Sequence, residues 1–235
     1  MSWLTRLFGI SSVELRAEEA ARLEAWKSLP APPLEEPLSQ GRYVVVDVET
    51  SGLNLNKDRL IAIGAVAVTG GRIDLGDSFE IILQQEAVSD KENILIHGIG
   101  GTAQADGVPP VAALLQFLEY LGKSPLIAFH VTFDETMIRR AMKEFLGLEF
   151  KHPWVDLAYI APALYPDLAR RYRALDDWMG HFHINNYARH SALADALSTA
   201  QLLQVLAAGA AKKGARHLAD LQNMEKAQRW VSWAS

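Results

Sequence analysis

Cysteine is absent from this 235-residue chain, which excludes disulfides, thiolate metal sites and cysteine nucleophiles. Positive charge is also in deficit: 23 Lys and Arg stand against 28 Asp and Glu, a net charge of -5. Such a balance argues against a broad basic face that coats long duplex, although a cleft gripping only a chain end needs few cations. No apolar run resembles a membrane span. The apolar start (Trp3, Leu4, Leu7, Phe8) is short and gives way to Glu-rich sequence, unlike a signal peptide. A soluble, cytoplasmic protein without a membrane partner is expected. Internal repeats and low-complexity tracts are lacking too.

What is present suffices for a full core, since 49% of the residues are apolar. The length fits one domain of ordinary size plus extensions. A helix is expected from Ser11 or Ser12 to about Ser28, with Ser12 as N-cap and Val13, Ala17, Ala20 and Trp26 at roughly helical spacing. Pro30, Pro32, Pro33 and Pro37 end it and form a semi-rigid linker. Residues 1–40 are thus read as a helical extension and linker, 41–210 as the main domain, and 211–235 as a C-terminal amphipathic helix with Leu218, Leu221, Met224 and Val231 on one side. Trp3, Trp26, Trp230 and Trp233 lie in the terminal segments, which should pack on the core, on each other or on a partner.

Within the main domain, Tyr43–Val48 is a β-branched run typical of a strand buried on both faces. Leu60–Val68 and Ile73–Leu83 follow as strands around Gly70-Gly71, a hairpin signal. Helix Pro110–Leu121, strand Leu126–Phe129, helix Asp134–Leu146 and strand Trp154–Leu157 come next, then helices near Tyr159–Leu164, Ala174–Met179 and Ala192–Ala207. Three strands followed by alternating helices and strands is the order of an α/β domain with a mixed sheet.

The chemistry lies in four carboxylates. Asp47 and Glu49 are two apart at the end of the first strand, so they point the same way. An acidic loop after a strand is an equally good reading of that pair alone. Asp134, taken alone, reads as a helix N-cap, yet its strand leaves the sheet beside the first one. Asp195 shares a helix face with the small residues Ala192, Ala196 and Thr199, a face that can approach the sheet closely. Acids gathered at one point require cations, and His190 just before Asp195 points to a metal-assisted hydrolase.

The segments Asp47-Val-Glu49-Thr50-Ser51-Gly52, His130-Val131-Thr132-Phe133-Asp134 and His190-Ser-Ala-Leu-Ala-Asp195 resemble the three motifs of the DEDDh (DnaQ-like) 3′→5′ exonuclease family, which includes the proofreading epsilon subunit of bacterial DNA polymerase III. The resemblance runs from about Gly41 to Ala207, and Ile96-His97-Gly98-Ile99 also matches a segment common in the family. It implies a ribonuclease H-like fold with a mixed five-stranded sheet. It further implies that Asp47, Glu49, Asp134 and Asp195 bind two Mg²⁺ or Mn²⁺ ions and that His190 is the general base. Thr50, Ser51, Gly52, Leu53 and His97 would form the pocket for the terminal nucleotide, with Leu53 against the base. Val131 stands where many relatives carry Asn. The implied substrate is the 3′ end of single-stranded or frayed DNA. The alternatives are RNA trimming, which uses the same chemistry, or a non-catalytic module that binds nucleic-acid ends or a polymerase. The Trp-bearing ends are the segments for polymerase contact or self-association.

Overall fold

The computed structural model describes residues 13–31, 36–186 and 188–234. Ser11, Ser12, Trp3, Pro32 and Pro33 lie outside them, as does the side chain of Trp233. Five strands, β1 Arg42–Thr50, β2 Leu60–Thr69, β3 Arg72–Ile82, β4 Leu126–Ala128 and β5 Trp154–Asp156, form one sheet in the order β3-β2-β1-β4-β5. The first three strands are antiparallel, whereas β1, β4 and β5 run parallel. Gly70 and Gly71 make the two-residue β2–β3 turn, both at positive φ (61° and 75°) and joined to the paired Thr69 and Arg72. The mixed five-stranded sheet is as the residue order predicts.

Nine helices accompany the sheet among the described residues: α1 Ala17–Lys27, α2 Lys91–His97, α3 Gly101–Ala105, α4 Pro110–Leu121, α5 Val131–Leu146, α6 Leu157–Leu164, α7 Leu175–His181, α8 Ala192–Lys212 and α9 Leu218–Ala234. Alternation along β1 divides the core. Val44, Val46 and Val48 face a cluster containing Phe117, Leu118, Ile138 and Met142 of α4 and α5. Tyr43 and Val45 face the other cluster, with Ile160, Ala196, Ala200 and Leu203 of α6 and α8. Asp47 and Glu49 continue this second face.

Several boundaries differ from expectation. α1 starts at Ala17, where the Arg16 amide donates to Glu19 Oε2 at 2.9 Å, so residues 13–16 are not helical. α5 starts at Val131, three residues before Asp134, and the cap position belongs to His130 in a left-handed conformation (φ 66°). Asp134 is therefore not a cap but a buried acid in the first turn. α8 runs on to Lys212, and the final helix begins only at Leu218. By length and composition α8 could cross a membrane; here it packs on β1 and β2 as a core helix.

Helices α1 and α9 both join the core. Trp26 is buried, donates from Nε1 to Gly122 O at 2.6 Å, and lies under the Lys123 ammonium. The Arg22 guanidinium grips Glu119 of α4 through two nitrogens, at 2.7 and 2.8 Å. Leu218 and Leu221 of α9 are buried in the same cluster as Val45 and Val155. Val231 and Trp230 are instead exposed, so Val231 does not share that buried side.

Candidate active site

The parallel strands β1, β4 and β5 all end at one edge of the sheet, where α/β folds gather ligand-binding side chains. Glu49, His130 and Asp156 lie at that edge. Asp47, Glu49 and Asp195 each bring an oxygen to within 4.8 Å of the others, and they form the one such group of metal-ligating side chains among the described residues. Asp134 is outside that tight trio yet close enough for its charge to act on Asp47.

What lets α8 reach the sheet is Gly64. It pairs with Asp47 across β1 and β2. A Cβ at this position would meet the Leu193 amide nitrogen at 2.1 Å and the Ala192 carbonyl carbon at 2.2 Å. The start of α8 thus rests directly on the backbone of β2, and Asp195, one turn on, hangs over Asp47. Ala192, Ala196 and Thr199 are buried on the face that approaches, as their small size requires. Gly64 escapes the motif reading, although a glycine interrupting Leu60-Ile61-Ala62-Ile63-Gly64-Ala65-Val66 is the sequence mark of a backbone approached closely.

Crowding these acids is electrostatically costly. Burial, then the charges of Asp134, Asp195 and Glu49, hold the Asp47 carboxyl well above the ordinary carboxylate range. Burial and Asp195 push Glu49 up to about 8. Burial is also the main cause that pushes Asp134 up to about 8, with Asp156 and Glu49 adding to it against the pull of nearby backbone groups. Asp195 is better supplied, since it accepts from the Asn186 side-chain amide and from the His190 backbone amide at 3.0 Å.

His190 is exposed on the loop before α8, in a left-handed conformation (φ 62°) rare for a non-glycine residue. That loop is tied down by the Arg189–Asp176 ion pair to α7. Two residues outside the motif readings therefore shape this corner, Asn186 and Asp176, and neither carries a distinctive sequence signal.

The proposed nucleotide pocket is less uniform. Thr50 is buried and its hydroxyl donates to Gly52 O at 2.7 Å. Ser51 donates from its hydroxyl to Asp58 Oδ1 at 2.9 Å, and a Cβ at Gly52 would meet Asp58 Oδ2 at 2.5 Å. In this loop the small residue is needed by Asp58 itself. Arg140 of α5 donates to Asp58 O at 2.9 Å and to Leu55 O, so it staples the loop rather than offering itself to a phosphate. Leu53 stands out at 87% exposure. His97 does not: it is 5% exposed, its Nδ1 accepts from the Ile99 amide at 2.9 Å, and burial lowers its pKa. Its Nε2 faces Ser89 Oγ at 3.5 Å. Both ring nitrogens are turned inward, towards the scaffold under α2. That scaffold touches the site through Asn93, which donates to Thr50 O at 2.6 Å.

Val131 is 4% exposed and sits in the core with α4 and α5, so the apolar residue anchors the first turn of α5. His152 is stacked on Phe150 with ring centroids 5.3 Å apart and bonded through Nε2 to Ser124 O, a packing role.

Comparison with known proteins agrees with this architecture. Residues 44–203 match the RNase_T exonuclease family. The chain is 32% identical over 189 residues to the DNA polymerase III PolC-type of Bacillus subtilis (strain 168), covering 80% of this chain and 13% of that one. It is 27% identical over 170 residues to the DNA polymerase III subunit epsilon of Aquifex aeolicus (strain VF5), covering 72% of this chain and 82% of that one. The chain thus spans only 11% to 13% of the PolC-type relatives it matches. Among solved structures, E. coli Exonuclease I in complex with a dT13 oligonucleotide superposes with a TM-score of 0.62 at 17% identity, over 74% of this chain and 42% of that one. Exonuclease X in complex with 5′ overhanging duplex DNA gives 0.61 at 18% identity, over 78% of this chain and 99% of that one. The fold is that of the ribonuclease H-like exonucleases. The chain belongs to the RNase_T exonuclease family, with the motif set of its DnaQ-like members.

Proposed function

We propose that this chain is a metal-dependent 3′→5′ exonuclease that releases nucleoside 5′-monophosphates from the 3′ ends of single-stranded or frayed DNA. The observation that carries the reading is the convergence of Asp47, Glu49 and Asp195 within 4.8 Å in a member of an exonuclease family. All the donors are carboxylate oxygens, the set that suits hard divalent cations. Their mutual repulsion in a buried setting is relieved only by protons or by cations. Asp47, Glu49, Asp134 and Asp195 would hold two Mg²⁺ or Mn²⁺ ions. When bound, such ions supply charge stabilisation for an in-line displacement at phosphorus. His190 takes the proton of the attacking water, since a neutral imidazole offers one ring nitrogen as an acceptor. Thr50, Ser51 and Gly52 border the terminal nucleotide, and the exposed Leu53 offers an apolar surface to its base. His97 acts from behind, as a buried support of the neighbouring helix.

DNA is favoured over RNA because the relatives are named as DNA polymerase III proteins, and a cytoplasmic location goes with that role. The exonuclease unit spans residues 41–210, with 1–40 and 211–235 as flanking segments that could contact a polymerase or a second copy. The test is nucleotide release from matched 5′-labelled DNA and RNA oligonucleotides, with Mn²⁺ and with EDTA. Stepwise shortening of DNA from its 3′ end, abolished by EDTA, is expected. Faster shortening of RNA would move the substrate to the ribonuclease alternative, and intact oligonucleotides in Mn²⁺ would refute catalysis.

A further inference from the structure

A second polar network lies beside the acid cluster, and it belongs to the C-terminal helix. Asp156, the last residue of β5, is 1% exposed. Its Oδ1 accepts from the His130 amide at 2.9 Å and from the Ala158 amide at 3.0 Å. Its Oδ2 accepts from the Arg229 guanidinium of α9 at 3.2 Å. The Asp156 amide in turn donates to Glu225 Oε2 at 3.0 Å, and Arg229 bonds Glu225 Oε1 at 2.9 Å. The guanidinium carbon lies 4.0 Å from the Tyr159 ring centroid, which fixes its plane. Among the described residues, Arg229 is thus the one cation bonded to a carboxylate that is otherwise surrounded by core.

The residue at the other end of this chain of bonds is His130. It occupies a left-handed conformation that is strained for a non-glycine residue, and its carbonyl accepts from the Phe133 amide at 3.1 Å. This strained residue starts α5, and Asp134 follows one turn later. The Asp156 carboxylate holds the strained amide in place only while both of its oxygens are themselves satisfied, since a buried unpaired carboxylate is strongly disfavoured.

We propose that Arg229 and Glu225 of α9 are positioning residues for the metal-binding acids, acting through Asp156 and the His130 turn to fix Asp134. The C-terminal helix is then a working part of the site and not an appendage to it. The inference rests on the metal-site reading above and assigns a new role to residues outside every motif.

The test compares Arg229→Met, Arg229→Lys and the surface control Lys226→Ala with the intact chain. The first readout is Mn²⁺ binding by calorimetry or paramagnetic resonance, and the second is hydrogen exchange of the His130 and Asp134 amides. In Arg229→Met, Mn²⁺ binding is expected to weaken about tenfold, as loss of a supporting partner outside the ligand set does elsewhere. Amide exchange should accelerate at residues 130–134, helical content should hold, and Arg229→Lys should restore part of both effects. Mn²⁺ affinity and exchange equal to the intact chain in Arg229→Met would overturn the proposal. If Arg229→Met does not fold, Arg229→Lys decides, and its indistinguishability from the intact chain overturns it equally. If the intact chain binds no Mn²⁺, the metal-site reading fails, whereas faster exchange at His130 in the variant still supports the positioning.

Discussion

Magnesium binding at neutral pH should expel protons, because the acids that would hold the ions are not all ionised beforehand. Glu49 and Asp134 are each pushed up to about 8. At pH 7 a carboxyl with that value is about 90% protonated, so the two together release roughly 1.8 protons when they bind metal as carboxylates. Asp47, also held well above the ordinary range, adds to this. At pH 9 the same two groups release only about 0.2. Calorimetric titration of the protein with MgCl₂ in paired buffers of different ionisation enthalpy measures this number directly. The raised values also fix a stability trend. A carboxyl whose folded pKa exceeds its unfolded one stabilises the protein at low pH and loses that contribution as pH climbs from about 4 towards 8. The slope is about 1.4 kcal/mol per pH unit for each group. Counting Asp134 in full and discounting the more accessible Glu49 for solvent screening, the metal-free protein should lose about 2–5 kcal/mol between pH 5 and pH 7. Thermal melts in EDTA check this, and Mg²⁺ should reverse the loss. Release of less than about half a proton at pH 7, with melts that stay level from pH 5 to 7, would refute the electrostatic account of the site.

Two other perturbations separate scaffold from chemistry. Gly64→Ala drives a methyl group into the backbone of Ala192 and Leu193, so α8 must retreat; a cost of about 2–4 kcal/mol by chemical denaturation and weakened Mg²⁺ binding are expected, and a variant matching the parent in both would remove Gly64 from the argument. His190→Ala should keep metal binding and thermal stability while lowering the single-turnover cleavage rate about 100-fold or more, and an unchanged rate would end its assignment as base.

Much of this architecture was legible because its signals are local. The run Tyr43–Val48, the Gly70-Gly71 turn and the alternation of later elements each announce themselves within a few residues, and together they give the sheet its strands. Asp47, Glu49 and Asp195 were also readable, since a carboxylate at a strand end, or on a helix face otherwise lined with alanine, contradicts its surroundings. Harder features involve partners far apart in sequence. The left-handed start of α5 depends on Asp156, 26 positions after His130, so the turn before Asp134 could only be guessed as a loop. His97 reads as a pocket residue because an isolated motif cannot say which way a ring faces. Its inward direction is set by Ser89 and the Ile99 amide. Val231 follows the apolar spacing of α9 yet ends exposed, because the helix runs past the part of the core formed by α6 and β5.

The division of labour within the sheet explains why the acids are carried by different elements. Carboxylates that repel one another cannot be neighbours on one flexible loop, which would simply spread until water separated them. Here Asp47 and Glu49 are fixed by pairing of β1 with β2, Asp195 by a helix seated on Gly64, and Asp134 by a turn bolted to β5. Each element is held by a large apolar contact that the local repulsion, a few kcal/mol at most, cannot undo. Strands β2 and β3 contribute no acid to the cluster, yet β2 is the strand that admits α8. A rigid frame of this kind keeps the acids together while they wait for cations, and the protons they retain meanwhile are what the titration with MgCl₂ would count.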